Sequence, residues 1–169
     1  MDAFIEKLVT RKKRAVDYLM TLGLVAGGFI ITAIVLLQFG GILQSFSVLI
    51  AIGVIYLAYK LARRTNIEFE YIVTNGSLDI DKIIAMNKRQ RIFSAECKEF
   101  EVLAKVKGPN YGQHISSIPK KIHAESSADA EDVYFFVLSY KGVRTVVYFE
   151  PDRRMLDSFR RFIPRKIMD

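Results

Sequence analysis

The chain has 169 residues, with 25 Lys and Arg against 18 Asp and Glu for a net charge of +7, and 51% of it is hydrophobic. The charges are unevenly placed: Tyr18 to Tyr59 is a run of 42 residues without Asp, Glu, Lys, Arg or His, so all 43 charged side chains fall in the other 127. So long an uncharged apolar block excludes a single soluble globular domain.

Ahead of the block, Phe4, Ile5, Leu8 and Val9 recur at helical spacing, with Glu6, Lys7 and Arg11 on the other side. That pattern predicts an amphipathic N-terminal segment over 1–17, with a short helix lying on the cytoplasmic membrane face. A membrane span takes about 20 apolar residues, and the block is twice that length. Gln38-Phe39-Gly40-Gly41 interrupts it at the middle with two helix-weakening glycines. The prediction is a transmembrane hairpin over 18–61, with helices at about 18–37 and 42–61. Arg11, Lys12, Lys13 and Arg14 precede the first helix and Lys60, Arg63 and Arg64 close the second, while the turn is uncharged. The positive-inside rule then predicts a two-span protein of the cell membrane with both termini cytoplasmic. A signal peptide is disfavoured, because its apolar region is about 7–15 residues long and ends at a small-residue cleavage site. Gly23 and Gly27 form a GxxxG. It reads either as a homo-oligomer seam or as the packing face for Ser47 and Ala51 of the tethered second helix, and tethering favours the latter. With no buried charge or polar stripe in either span to line an ion or substrate path, transport by the helices alone is disfavoured.

Residues 65–169 form the predicted cytoplasmic domain. Ile67, Phe69, Tyr71 and Val73 alternate with more polar residues, Asn75-Gly76 follows, and Leu78 and Ile80 alternate again, which predicts a tight β-hairpin. Further strands are predicted at about 89–94 and 99–107, and a second hairpin joins 133–140 to 143–149 through Lys141-Gly142. The polar stretch 108–132, with room for a short strand near 115–122, is long enough to be a mobile or binding loop. Asp152 opens a C-terminal helix in which Met155, Leu156, Phe159, Phe162 and Ile163 share one stripe before Pro164. The stripe is expected to cover the sheet. The alternative is a membrane-surface helix helped by Arg160, Arg161, Arg165 and Lys166.

Two helices, two groups of strands and a closing helix resemble the bacterial pleckstrin-homology-like (PH-like) membrane proteins. The residues that carry the likeness are Tyr71-Ile72-Val73-Thr74-Asn75-Gly76-Ser77-Leu78, Lys88-Arg89-Gln90-Arg91-Ile92 and Phe149-Glu150-Pro151-Asp152-Arg153-Arg154-Met155-Leu156. The whole chain is similar to a family of two-span proteins of clostridia-like bacteria. The resemblance implies an α+β fold: a transmembrane hairpin, then a PH-like barrel or sandwich of about seven antiparallel strands capped by the C-terminal helix. It implies no particular activity.

Enzyme signatures such as GxxxxGK[ST], HExxH, GxSxG and CxxC are absent from the sequence. His114, His123 and Cys97 have no metal-site or nucleophile spacing, so no catalytic, cofactor-binding or metal residues are assigned. Lys82, Lys88, Arg89 and Arg91 loosely resemble the basic phosphoinositide motif of eukaryotic pleckstrin domains. That motif belongs to the first hairpin, where this chain has Asp79 and Asp81, so the cations read equally as delocalised attraction to anionic headgroups or as a solvated strand edge kept from aggregating by its charge. Nucleic acid is disfavoured, because removing the seven basic residues that flank the hairpin leaves 18 basic against 18 acidic residues. The function expected is a non-enzymatic, membrane-anchored module that binds a protein or peptide partner. Its alternative is an anionic-lipid sensor using Lys82, Lys88, Arg89, Arg91, Arg160, Arg161, Arg165 and Lys166.

Overall fold

The computed structural model describes residues 4–38, 46–108, 111, 115 and 117–168. They belong to two units, Met1–Lys12 with Glu68–Asp169, and Lys13–Ile67. The first unit begins with a correction. Phe4–Thr10 is a β-strand (β1), not an amphipathic helix. Seven residues gain too little from helix propagation to hold a helix alone, whereas the open edge of Ile67–Thr74 (β2) offers a full ladder. The two pair antiparallel from Phe4↔Thr74 to Thr10↔Glu68. Val9 is buried by this pairing, while Phe4 and Leu8 stay exposed on the opposite face. The N-terminal segment is therefore part of the β unit rather than separate from it.

β2 turns through Asn75-Gly76 into β3 (Ser77–Ile84), and β4 (Lys88–Glu96) completes a sheet of order β1-β2-β3-β4. Both turn residues have positive φ, 49° and 87°, as a two-residue hairpin requires. The second sheet contains β5 (Val102–Lys105), β6 (Lys120–His123), β7 (Tyr134–Tyr140), β8 (Val143–Phe149) and β9 (Ile167–Met168), in the order β6-β8-β7-β5-β9. Among the described residues there are thus nine strands, and not all are antiparallel: β6 runs parallel to β8 and β9 parallel to β5. Strands of four and two residues are too short to show an alternating pattern, so their partners set them.

The two sheets meet through aromatic rings. Phe93 of β4 lies 5.2 Å from Phe136 and 5.0 Å from Tyr140 of β7, and Tyr71 of β2 lies 5.8 Å from Phe149 of β8. The Tyr71 hydroxyl donates to the Ala124 carbonyl at 2.5 Å and accepts from the Glu150 amide at 3.2 Å, so the buried phenol is satisfied. The C-terminal helix (Arg153–Phe162) is capped by Asp152, which accepts from the Met155 amide at 2.8 Å. Its stripe is turned into the unit: Met155 and Phe159 are fully buried, and Phe159 lies 6.1 Å from Phe100 and 6.5 Å from Phe149. The outer face of the second sheet is covered as well. Ile115 and Ile118, from the stretch expected to be a mobile or binding loop, join Val102, Phe135, Val146 and Tyr148 in one buried cluster.

The second unit holds α1 (Ala15–Gln38) and α2 (Ser47–Arg63), leaving the C-terminal helix as α3. In α1 the segment Ala15–Ile34, with mean hydropathy 1.7, is long and apolar enough to cross a membrane. Among the described residues it is the one helix that meets this length and composition, where the sequence predicts two. The predicted turn residues 39–41 and the first residues of the predicted second span, 42–45, lie outside the described residues, and Gln38 is still helical. The helices pack closely at Gly28, where a Cβ would fall 2.9 Å from Val54 Cγ1. A Cβ on Gly23 or Gly27 would meet no atom within 4 Å, which corrects the packing face assigned to them. Gly28 is one position, about 100°, further round the helix than Gly27. An open apolar groove of about 420 Å³ runs between the helices beside Phe29, Ala51 and Val54.

Candidate functional site

The cations of β4 are largely committed to the sheet that carries them. Asp81 of β3 stands opposite Arg91 of β4, and Arg91 binds both Asp81 carboxylate oxygens and Asp79 at 2.6 Å. Arg89 reaches Glu70 of β2 at 2.9 Å. The Asp81 and Glu70 side chains are each only 4% exposed, so without these partners they would be buried bare charges. Burial holds the Glu70 carboxyl above the usual carboxylate range. A hydrogen bond with Glu6 of β1 acts in the same direction, and Arg89 opposes both. The hydrogen bond that Arg91 donates to Asp81 is the largest influence raising the pKa of the guanidinium. These two arginines, named above as possible lipid contacts, pair with carboxylates of β2 and β3. Arg91→Ala is expected to cost about 2 kcal/mol, below the range for a fully buried pair because Arg91 is 46% exposed. Chemical denaturation of the purified protein would measure it, and Arg91→Met with Asp81→Leu and Asp79→Ala should recover most of the loss.

The other expected lipid contacts do not form one patch with these. Arg160 pairs with Asp157 at 3.4 Å, and Lys166 donates to the Lys98 carbonyl at 2.7 Å. Arg161 and Arg165 are exposed at the end of α3, where the Phe162 ring lies 3.0 Å from the Cβ position of Gly76. That is the β2–β3 turn. Lys82 of β3 lies five strand steps from that turn, about 17 Å, and Lys88 of β4, opposite Ile84, lies seven, about 23 Å. The basic residues that flank the helices are divided too. The Lys12 amide donates to the Ser126 carbonyl at 2.8 Å in the β unit, whereas Arg14 opens α1, its amide bonded to Asp17 at 2.9 Å. Lys60 and Arg63 of α2 sit over the rings of Tyr56 and Tyr59, and Arg64 is the C-cap.

The β3–β4 turn has a feature the sequence did not signal. Ala85 and Met86 both take left-handed backbone angles, φ 54° and 62°, and the Asn87 amide closes the turn on the Ile84 carbonyl at 3.2 Å. For non-glycine residues that conformation costs about 1 kcal/mol or more each. Met86 is nevertheless 71% exposed. Further from it, Lys120 and Lys141 both approach the Tyr140 ring, at 5.5 and 5.3 Å. Lys120 was not a candidate because the parallel pairing of β6 with β8, which places it near Tyr140, leaves no local signal of its partner.

Among the described residues, the chemistry-bearing side chains form no catalytic arrangement. The His123 ring stacks on Tyr148 at 4.9 Å, and its Nδ1 lies 2.7 Å from the buried carboxylate of Glu125. Burial pushes the Cys97 thiol up, away from the thiolate a nucleophile needs. His114 lies outside the described residues, and among those described no three His, Cys, Asp or Glu side chains converge as metal ligands would.

A family model described as Bacterial PH-like domain (DUF6106) matches residues 1–169. No curated protein and no solved structure matches the chain.

Proposed function

The chain belongs to the bacterial PH-like domain family, and from that premise we propose that it is a non-enzymatic membrane-anchored module, its β unit offered to a protein or peptide partner at the cytoplasmic face. In this reading α1 and α2 cross the bilayer as a pair. The observation that carries it is the pairing of β1 with β2 on either side of the helices. Neighbouring strands of one sheet lie on one side of a membrane, so the intervening 11–66 crosses an even number of times. With Ala15–Ile34 apolar enough to cross, α2 and the apolar residues before it provide the return. Cleavage after α1 would detach β1 from its sheet, which argues against a signal sequence. The cations at both ends of the segment favour the cytoplasm for the β unit.

Phe4 and Leu8, 65% and 56% exposed on the edge strand β1, provide apolar surface for a partner to cover. The second reading, attraction to anionic lipid, draws support from Lys82 and Lys88, which have no ion pair among the described residues. The anchor is tested by single cysteines at Gly41 and Lys98 in a Cys97→Ser background. A membrane-impermeant maleimide applied to sealed vesicles is expected to label the two positions from opposite sides. Labelling of both from the same side would overturn the two-crossing reading.

A further inference from the structure

Three tight hairpin turns shape the β unit, and two of them place a glycine at the second left-handed position, Gly76 at φ 87° and Gly142 at φ 78°. The third, between β3 and β4, places Ala85 and Met86 in that conformation and leaves the methionine 71% exposed. Folding alone would favour Asn-Gly there, and a soluble tip would favour a polar side chain. A strained backbone that displays an apolar side chain points to something the tip contacts.

The sheet register says what lies near it. Counting back from the two-residue Asn75-Gly76 turn puts Ile67 of β2 opposite Ile84 of β3. Thr10, at the end of β1, stands opposite Glu68. Both chain connections to the apolar helices therefore leave the sheet at the end where Ala85 and Met86 protrude. They are short: five Cα steps from Thr10 to Ala15 and four from Arg63 to Ile67, reaching at most about 19 and 15 Å. Lys82 is half-buried and Lys88 exposed on the strands beneath the tip, while Arg89 is held back by Glu70.

We infer that the Ala85–Met86 tip is a membrane-contact element, with Met86 seated at the headgroup–acyl boundary and Lys82 and Lys88 among anionic headgroups. The inference rests on the reading that the helices cross the bilayer, since they bring that surface to the tip. Methionine suits the place because its unbranched thioether adapts to a disordered apolar surface. The lysine stems extend along apolar surface while their ammonium groups stay hydrated. The tip would thus hold the β unit at a fixed tilt, which the helix tethers by themselves do not define. The contact orients the domain and leaves its opposite end, with Arg161 and Arg165, directed into the cytoplasm.

The test uses the full chain reconstituted in vesicles of phosphatidylcholine and phosphatidylglycerol, with a bimane probe on Met86→Cys or Lys98→Cys in the Cys97→Ser background. Lys98 is exposed and adjoins Cys97, whose amide bonds to the Gly76 carbonyl at the far end of the sheet. Nitroxide-bearing lipid is expected to quench the probe at 86 several-fold more strongly than the probe at 98, and iodide to do the reverse. Equal quenching of both by iodide would overturn the inference. The label at Gly41 reports membrane crossing separately, so the two failures are distinguishable. A second variant, Ala85→Asn with Met86→Gly, suits the left-handed turn and is expected to raise the melting temperature in detergent. In vesicles the same change is expected to increase trypsin cleavage at Lys82 and Lys88 several-fold, and unchanged cleavage would count against membrane contact.

Discussion

Phe159→Ala is expected to lower stability by about 3–5 kcal/mol, the range for truncating a buried phenylalanine. The ring is fully buried and faces Phe100 and Phe149, one from the chain before β5 and one from β8. Those neighbours are themselves locked: Phe100 stacks on Phe136 at 4.0 Å, and Phe149 contacts Tyr71 and Phe136. Such surroundings relax poorly into a void, so the cavity adds to the lost transfer energy. Tyrosine fluorescence during denaturation can follow the change, as the chain has no tryptophan. A loss below about 1 kcal/mol would show that α3 is peripheral, as the membrane-surface alternative for this helix requires.

Deleting residues 4–10 is expected to cost the β unit its cooperative fold. The strand contributes a seven-residue register, buries Val9, and sends Lys7 to the Glu150 carbonyl at 2.8 Å. At about 1 kcal/mol net for each ladder hydrogen bond, its removal approaches the whole reserve of a small domain. It also bares the edge of β2, inviting association between chains. Limited proteolysis and size-exclusion chromatography in detergent would report both effects. Had 1–17 been a separate surface segment, the deletion would leave the protease-resistant core intact, so the experiment discriminates between the two architectures.

Much of the β unit was legible because its signals are local. Asn75-Gly76 and Lys141-Gly142 mark turns between alternating runs, and Asp152 with the Met155–Phe159 stripe marks α3. β1 was misread because Phe4-Ile5-Glu6-Lys7-Leu8-Val9 puts its apolar pairs on one helical face, while its odd and even positions each hold two apolar residues and one charge and so give no alternating signal. Only a partner 60 residues away decides for the strand. The basic cluster at 88–91 was legible as charge but not as commitment, since Glu70 and Asp81 meet it only through cross-strand register. The left-handed Ala85-Met86 turn breaks the residue preferences by which turns are read, which is why it passed unnoticed.

The insertion of α1 and α2 between two adjacent strands has a consequence for synthesis. β1 leaves the ribosome first, and its partner follows only after the 56 intervening residues. The first strand must therefore wait unpaired until the helices between them have been made, and the sheet closes only afterwards. If α1 crossed and α2 failed to return, β1 and β2 would be stranded on opposite sides and the four-stranded sheet could not form. Under the two-crossing reading, completion of the domain proofreads the insertion of its own anchor, and a mis-inserted chain is marked for proteolysis by a domain that never closes.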